Sequence, residues 1–237
     1  FQCAHSERCG GCAYMGQALP AQLAHKQASL RAALAPYGVL QPITISEVAA
    51  ASPALGYRTR AKLIVSQHGE IGLYARGSHE VVDIPGCRVL SPALLAVVAT
   101  LRERLAQDTA VRGVLTGLDL RLVYEPGTEP VVLATLIGSR AARSELLLLA
   151  RWLGTRARVR GVALRVQAEP AIQLLEGELE IVAGSAEARD CLRPGGPYHY
   201  ATFGSFVQAH RGQAAAMAAA IQRALALRLG TLRGQRV

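Results

Sequence analysis

Apolar and polar positions along the chain repeat at two periods, about 3.6 and 2 residues, which separates predicted helices from predicted strands. Leu23, Leu30 and Leu34 fall on one side of a helix predicted over 19–35, and Pro36-Tyr37-Gly38 stops it. Short alternating runs follow. One covers 57–65, and Gln67-His68-Gly69 turns it into a second at 71–76; a tight turn near Gly77 leads to a third at 79–84. Ser91-Pro92 places an N-cap before a proline at the first helical position and opens a helix predicted to reach Gln107. Strands at 118–124 and 130–137 flank the hairpin loop Glu125-Pro126-Gly127-Thr128-Glu129. Ser139 caps a helix to Leu153, strands are expected near 162–166, 172–175 and 179–182, and a last helix runs over 212–229 with Met217, Ile221 and Leu225 on one stripe. Strands joined as hairpins with helices crossing between them predict an α+β chain with a mostly antiparallel sheet.

The composition narrows the class. The chain has 237 residues, 51% of them hydrophobic and 18% charged, which suffices to fill a core and excludes disorder. No apolar run approaches the roughly 20 residues that span a bilayer, and no signal-peptide pattern opens the chain, so a soluble, cytoplasmic protein without membrane contact is expected. The net charge is +9, and 24 of the 26 cationic residues are arginines, Lys26 and Lys62 being the lysines. A GC-rich genome would produce that bias; so would phosphate recognition, because a guanidinium binds phosphate oxygens in bidentate fashion. From Arg193 to Val237 there are six arginines and no acidic residue, a placement that suggests an anionic partner, nucleic acid ahead of membrane.

Five cysteines are present, three of them crowded at the start as Cys3-x5-Cys9-Gly10-Gly11-Cys12. An odd, uneven set points to reduced thiols rather than a disulfide scaffold. Three clustered cysteines with one distant partner fit an iron–sulfur cluster better than zinc, which usually shows two short knuckles; zinc and unligated thiols stay open on spacing alone. Cys87 and Cys191 are the candidates for the fourth ligand. On the first strand, alternation puts Arg58, Arg60 and Lys62 on one face at intervals of roughly 7 Å, a solvated face or one that contacts a nucleic-acid backbone.

With these stretches the chain resembles the front part of the RNA uracil-5-methyltransferases that make 5-methyluridine in ribosomal or transfer RNA. The resemblance is carried by the cysteine motif, Gln22-Leu23-x-x-Lys26, Tyr57-Arg58-Thr59-Arg60-Ala61-Lys62-Leu63, Ile71-Gly72-Leu73-Tyr74, Val81-Val82-Asp83-Ile84-x-x-Cys87 and Phe206-Val207-Gln208. It implies that Cys3, Cys9, Cys12 and Cys87 ligate a 4Fe–4S cluster and that Cys191 is an ordinary thiol. It implies further that Phe206 touches the target uracil and that Gln208 helps hold the cofactor, S-adenosyl-L-methionine in the complete enzyme, or the base. The asparagine expected two residues after Gln208 is His210.

On the same resemblance the chain divides into an iron–sulfur segment with its helix (1–38), a central RNA-binding region (39–210) and a helix (211–237) leading to a Rossmann-like methyltransferase domain expected to be absent. The nucleophilic cysteine and the glutamate base would lie in that domain, so no catalytic residue is assigned and the chain alone is expected to be inactive. A stand-alone iron–sulfur or zinc RNA-binding module and a ferredoxin-like electron carrier are the alternative readings.

Overall fold

The computed structural model describes residues 1–167, 174–193 and 195–229. Seven strands make one sheet, ordered β3-β2-β1-β4-β5-β6-β7. They are β1 (Arg60–Val65), β2 (Ile71–Tyr74), β3 (Val81–Asp83), β4 (Leu115–Val123), β5 (Val131–Ser139), β6 (Val159–Gln167) and β7 (Glu178–Gly184). Helix α1 (Leu19–Leu34) precedes the sheet, α2 (Pro92–Gln107) links β3 to β4, and α3 (Arg143–Gly154) links β5 to β6. A separate ribbon, β8 (Glu187–Cys191) with β9 (Tyr198–Thr202), and α4 (Arg211–Leu229) complete the described elements.

The sheet keeps the expected mostly antiparallel pairing, in five of its six neighbouring strand pairs, with one departure. It is mixed: β5 and β6 run parallel, in register from Leu133 opposite Gly161 to Ser139 opposite Gln167. Parallel neighbours need a long crossover, and α3 provides it, making β5-α3-β6 a βαβ unit. A sequence pattern specifies which side of a strand is buried but not the direction of its neighbour, so the pairing was not visible in the chain. The strand expected at 172–175 begins outside the described residues, and Leu174 and Leu175 lie in a turn.

One face of the sheet carries the main core. Ala61, Leu63 and Val65 of β1, Leu118, Leu120 and Leu122 of β4, and Val162, Leu164 and Val166 of β6 meet Leu94, Leu101 and Leu105 of α2 and Leu146, Leu149 and Leu153 of α3. Helix α2 begins where its sequence says, with the Ser91 hydroxyl accepting from Leu94 N (3.4 Å) and Pro92 at the first position. The leucine stripe of α1 behaves differently: the helix has no buried residue, and it is tied down by Gln27, whose amide accepts from Val48 N and donates to Ser46 O. Met217 and Ile221 of α4 are likewise exposed.

The opposite face is partly polar. The alternate residues of β1 and β4, Arg60, Asp119 and Arg121, point there, and on this face Ala188 and Ala201 of the β8–β9 ribbon, with Phe203 just past it, pack with Val123, Leu133 and Ala163. Asp190 of β8, fully buried, closes this contact. Its carboxylate accepts from Arg121 Nη2 (3.2 Å), from Arg211 Nη2 (2.6 Å) and from Tyr124 N (3.1 Å). The Arg211 guanidinium also lies over the Tyr124 ring, 4.2 Å from its centroid, so one aspartate joins sheet, ribbon and α4.

Removing one member of a buried ionic group strands the others. Asp190→Ala is expected to lower unfolding free energy by about 3–5 kcal/mol in urea titration. Glu129→Ala, which removes an exposed partner 3.8 Å from Arg158, should leave the curve unchanged. Equal midpoints for the two variants would show that Asp190 does not hold the ribbon.

Candidate functional site

Two arginines from adjacent strands hold the segment that leads to Phe206. Arg60 and Arg121 are directly paired across β1 and β4. Arg60 forms a two-pronged bond with Asp119, Nε to Oδ1 at 3.1 Å and Nη2 to Oδ2 at 2.9 Å, and also donates to the carbonyls of Gly204 and Ser205. Arg121 donates to the Ser205 hydroxyl and to Asp190. Burial, with Arg60 and Arg211 nearby, pulls the Arg121 guanidinium below its usual pKa, and the bond to Asp190 opposes that shift.

The far side of the segment is fixed as well. Thr59 donates to Ala209 O from both its backbone N–H (2.8 Å) and its hydroxyl (3.1 Å). The His210 ring stacks on Tyr57, with centroids 4.5 Å apart and planes 16° from parallel. His210 Nδ1 accepts from Gln213 N (3.2 Å) and Nε2 faces Pro53 O (3.0 Å), a pattern that a neutral ring with its proton on Nε2 satisfies. His210 therefore caps the first turn of α4, as the expected asparagine side chain could do there. Between these two anchors Phe206 is 78% exposed and Gln208 is exposed too. Sequence alternation placed both on one side of an extended segment; the frame that holds them out, made by residues about 145 positions earlier, had no local signal.

A second feature adjoins this one. Cys3, Cys9, Cys12 and Cys87 line a single cavity together with Arg58 and Lys62. All four are free, half-buried thiols. Burial first, then Cys87, Cys9 and Cys3, push the Cys12 thiol above its ordinary pKa, while Arg58 pulls it down. Gly11 N donates to Cys9 Sγ at 3.4 Å. Gly10 is needed for close approach, since a Cβ there would sit 2.9 Å from Tyr74 O, whereas one on Gly11 would meet only the end of the Leu73 side chain, at 2.6 Å from Cδ1. Among the described residues, no group of three or more His, Cys, Asp or Glu side chains is gathered closely enough to hold a metal ion. Gln22, Leu23 and Lys26 of α1 line a neighbouring cleft with Cys12, Tyr57 and His210.

The three cations expected to share one face thus have different surroundings. Arg60 is taken up by Asp119 and the 204–205 carbonyls, Arg58 faces the cysteine cavity, and Lys62 is exposed at its rim. Cys191, at the end of β8, is buried, its thiol 3.8 Å from Gly196 O. No helix among the described residues is long and apolar enough to cross a membrane.

Arg60 should be irreplaceable by lysine, because an ammonium cannot bind both Asp119 oxygens and two carbonyls at once. Chymotryptic cleavage after Phe206 is expected to accelerate about tenfold in both Arg60→Ala and Arg60→Lys, and not at all in Lys62→Ala. Cleavage at the wild-type rate in Arg60→Lys would remove the guanidinium from the frame.

No protein-family model matches the chain. Its relatives include 23S rRNA uracil-C5-methyltransferases and RNA methyltransferases whose names give no target. The 23S rRNA (uracil(1939)-C(5))-methyltransferase of Halomonas elongata is 40% identical over 116 residues, which is 47% of this chain and 24% of that protein. An uncharacterized RNA methyltransferase of Parasynechococcus marenigrum is 29% identical over 203 residues, 79% of this chain and 42% of that protein. The chain therefore spans less than half the length of these relatives. Among solved structures, the tRNA (uracil-54, C5)-methyltransferase of Pyrococcus abyssi, in complex with S-adenosyl-L-homocysteine, shares the fold with a TM-score of 0.66 at 18% identity, over 91% of this chain and 50% of that one. The expectation that the methyltransferase fold is absent from the chain is corrected by that likeness: the mixed seven-stranded sheet is part of a fold matched over 91% of the chain.

Proposed function

We propose that the chain acts in S-adenosyl-L-methionine-dependent methylation of uracil C5 in ribosomal or transfer RNA. The observation that carries this reading is the Phe206–Gln208 segment, anchored on both sides and exposed between, in a chain some of whose relatives modify uracil in RNA. Chemistry at C5 requires the target base to leave its stack, and a base outside the helix needs a flat apolar surface and polar groups around its edge. Phe206 supplies the ring, and Gln208 supplies an amide that both donates and accepts, toward the base or the cofactor. When bound, S-adenosyl-L-methionine supplies an electrophilic methyl group, and Gln208 is the residue here that would hold it. Attack at C6 by a thiolate is what makes C5 nucleophilic, and buried Cys191 is not placed for that role.

Residues 1–38 with Cys87 form the cluster-binding part of this reading, and 39–210 the RNA-binding part. Cys3, Cys9, Cys12 and Cys87 would hold a 4Fe–4S cluster, in which each thiolate binds a different iron, so the sulfurs need not converge on one ion. Four thiols around one cavity, with Gly10 where a side chain would collide, support that donor set. The cluster would join the N-terminal segment to the β3–α2 connection and stabilise the structure. Lys62, exposed beside this cavity, is the cation best placed to meet phosphate.

Gln208→Ala is expected to cut transfer of labelled methyl to RNA uridine at least about tenfold, with melting temperature and RNA affinity kept. An unchanged rate, or a loss matched by unfolding, would take Gln208 out of the site. Anaerobically purified protein should be brown and contain iron and sulfide. Serine at Cys3, Cys9, Cys12 or Cys87 should each abolish the colour, whereas Cys191→Ser should keep it. A colourless protein containing zinc would refute the cluster.

A further inference from the structure

The β8–β9 ribbon has one face on the sheet and one in water. Directly paired residues share a face, so the register sorts the ribbon: Ala188 with Ala201 and Asp190 with His199 turn toward the sheet, and Glu187 with Thr202, Arg189 with Tyr200 and Cys191 with Tyr198 turn away. Tyr198, two residues from Tyr200, lies on the outer side as well. Ala188, Asp190 and Ala201 are buried, Tyr198 is 49% and Tyr200 57% exposed; at the open end of the ribbon His199 is exposed on the inner side, and Cys191, paired with Tyr198, is buried on the outer side. The two rings meet edge to face, with centroids 5.7 Å apart and planes at 86°. Arg189 lies over the Tyr198 ring, its guanidinium carbon 5.5 Å from the centroid. The pair is left about half exposed to solvent, with a cation beside it.

We propose that Tyr198, Tyr200 and Arg189 form a stacking platform for unpaired bases of RNA. The proposal rests on the reading that the chain handles RNA, and it assigns to that function a surface separate from Phe206 and Gln208. Charge complementarity favours a nucleic acid over a second copy of the chain: the protein carries +9, and from Arg193 onward the sequence has six arginines and no acidic residue. Glu187 is the one acidic side chain on the outer face of the ribbon, beside Thr202 at the end away from Tyr198. Every base has a π-face, so aromatic rings flanked by arginine bind single strands with little regard to sequence. The platform is also well positioned in the chain, because β9 runs into the 202–205 turn that Arg60 and Arg121 hold, and Phe206 follows.

The test compares labelled oligoadenylate with inorganic polyphosphate, which offers charge without bases. In the Tyr198→Ala/Tyr200→Ala protein, oligoadenylate binding should weaken about 5- to 100-fold with its salt slope unchanged. The Tyr198→Phe/Tyr200→Phe protein should bind as wild type does, and polyphosphate should bind all three alike with equal melting temperatures. If wild type binds RNA and the alanine protein binds it equally well, the platform is wrong and the RNA reading stands. If wild type binds no RNA, the RNA reading fails and the platform with it. Equal loss of polyphosphate binding would make the effect one of charge or folding. A wild-type dimer that the alanine substitutions dissociate, with RNA affinity unchanged, would assign the face to a second copy of the chain and overturn the proposal.

Discussion

Arg60 and Arg121 stand opposite one another on neighbouring strands, two cations on one face of a sheet, and neither could be buried there alone. Each has its own aspartate: Asp119 lies on β4 beside Arg60, and Asp190 arrives on the covering ribbon to meet Arg121. Both guanidiniums also reach the same turn, Arg60 at the Gly204 and Ser205 carbonyls and Arg121 at the Ser205 hydroxyl. The ionic pairs therefore act less as a source of stability than as a means of register, since an apolar filling of the same space would position nothing. The covering of the second sheet face, the start of α4 through Arg211 and the exposure of Phe206 all depend on this arrangement.

The cysteine cavity and the Phe206 segment both draw on β1 and the residues just before it. The cysteine cavity uses Arg58, Ala61 and Lys62, and the segment before Phe206 uses Arg60, so consecutive positions of one short strand serve different neighbours. Thr59, buried between them, bonds to Ala209 on the far side of the exposed segment. The order of residues in Tyr57-Arg58-Thr59-Arg60-Ala61-Lys62 is thus accounted for position by position, with Tyr57 stacked on His210 at its head.

Much of this was legible in the sequence, and what was not has physical causes. Helix α2 was readable to the residue because Ser91-Pro92 is a local signal acting within one turn. The grouping of Cys3, Cys9 and Cys12 around one cavity was readable because their spacing is local. Strands β8 and β9 were missed: Glu187-Ala-Arg-Asp-Cys191 has a buried aspartate where alternation expects an apolar residue, and only distant Arg121 and Arg211 make that burial tolerable. The apolar stripes of α1 and α4 predicted packing, yet neither meets the core among the described residues, since periodicity shows that a face is apolar and not what lies against it. Parallel pairing of β5 with β6 was beyond a reading that sees only which residues alternate.

The exposed segment is the point on which structure and proposed activity meet, and photocrosslinking reaches it directly. RNA carrying 5-iodouridine at the modified position, irradiated in complex with the protein and mapped by mass spectrometry, should attach to Phe206. Attachment confined to the outer surface of α1 or α3, with Phe206 unmodified, would contradict the view that the Arg60–Arg121 frame exists to present that ring to the base.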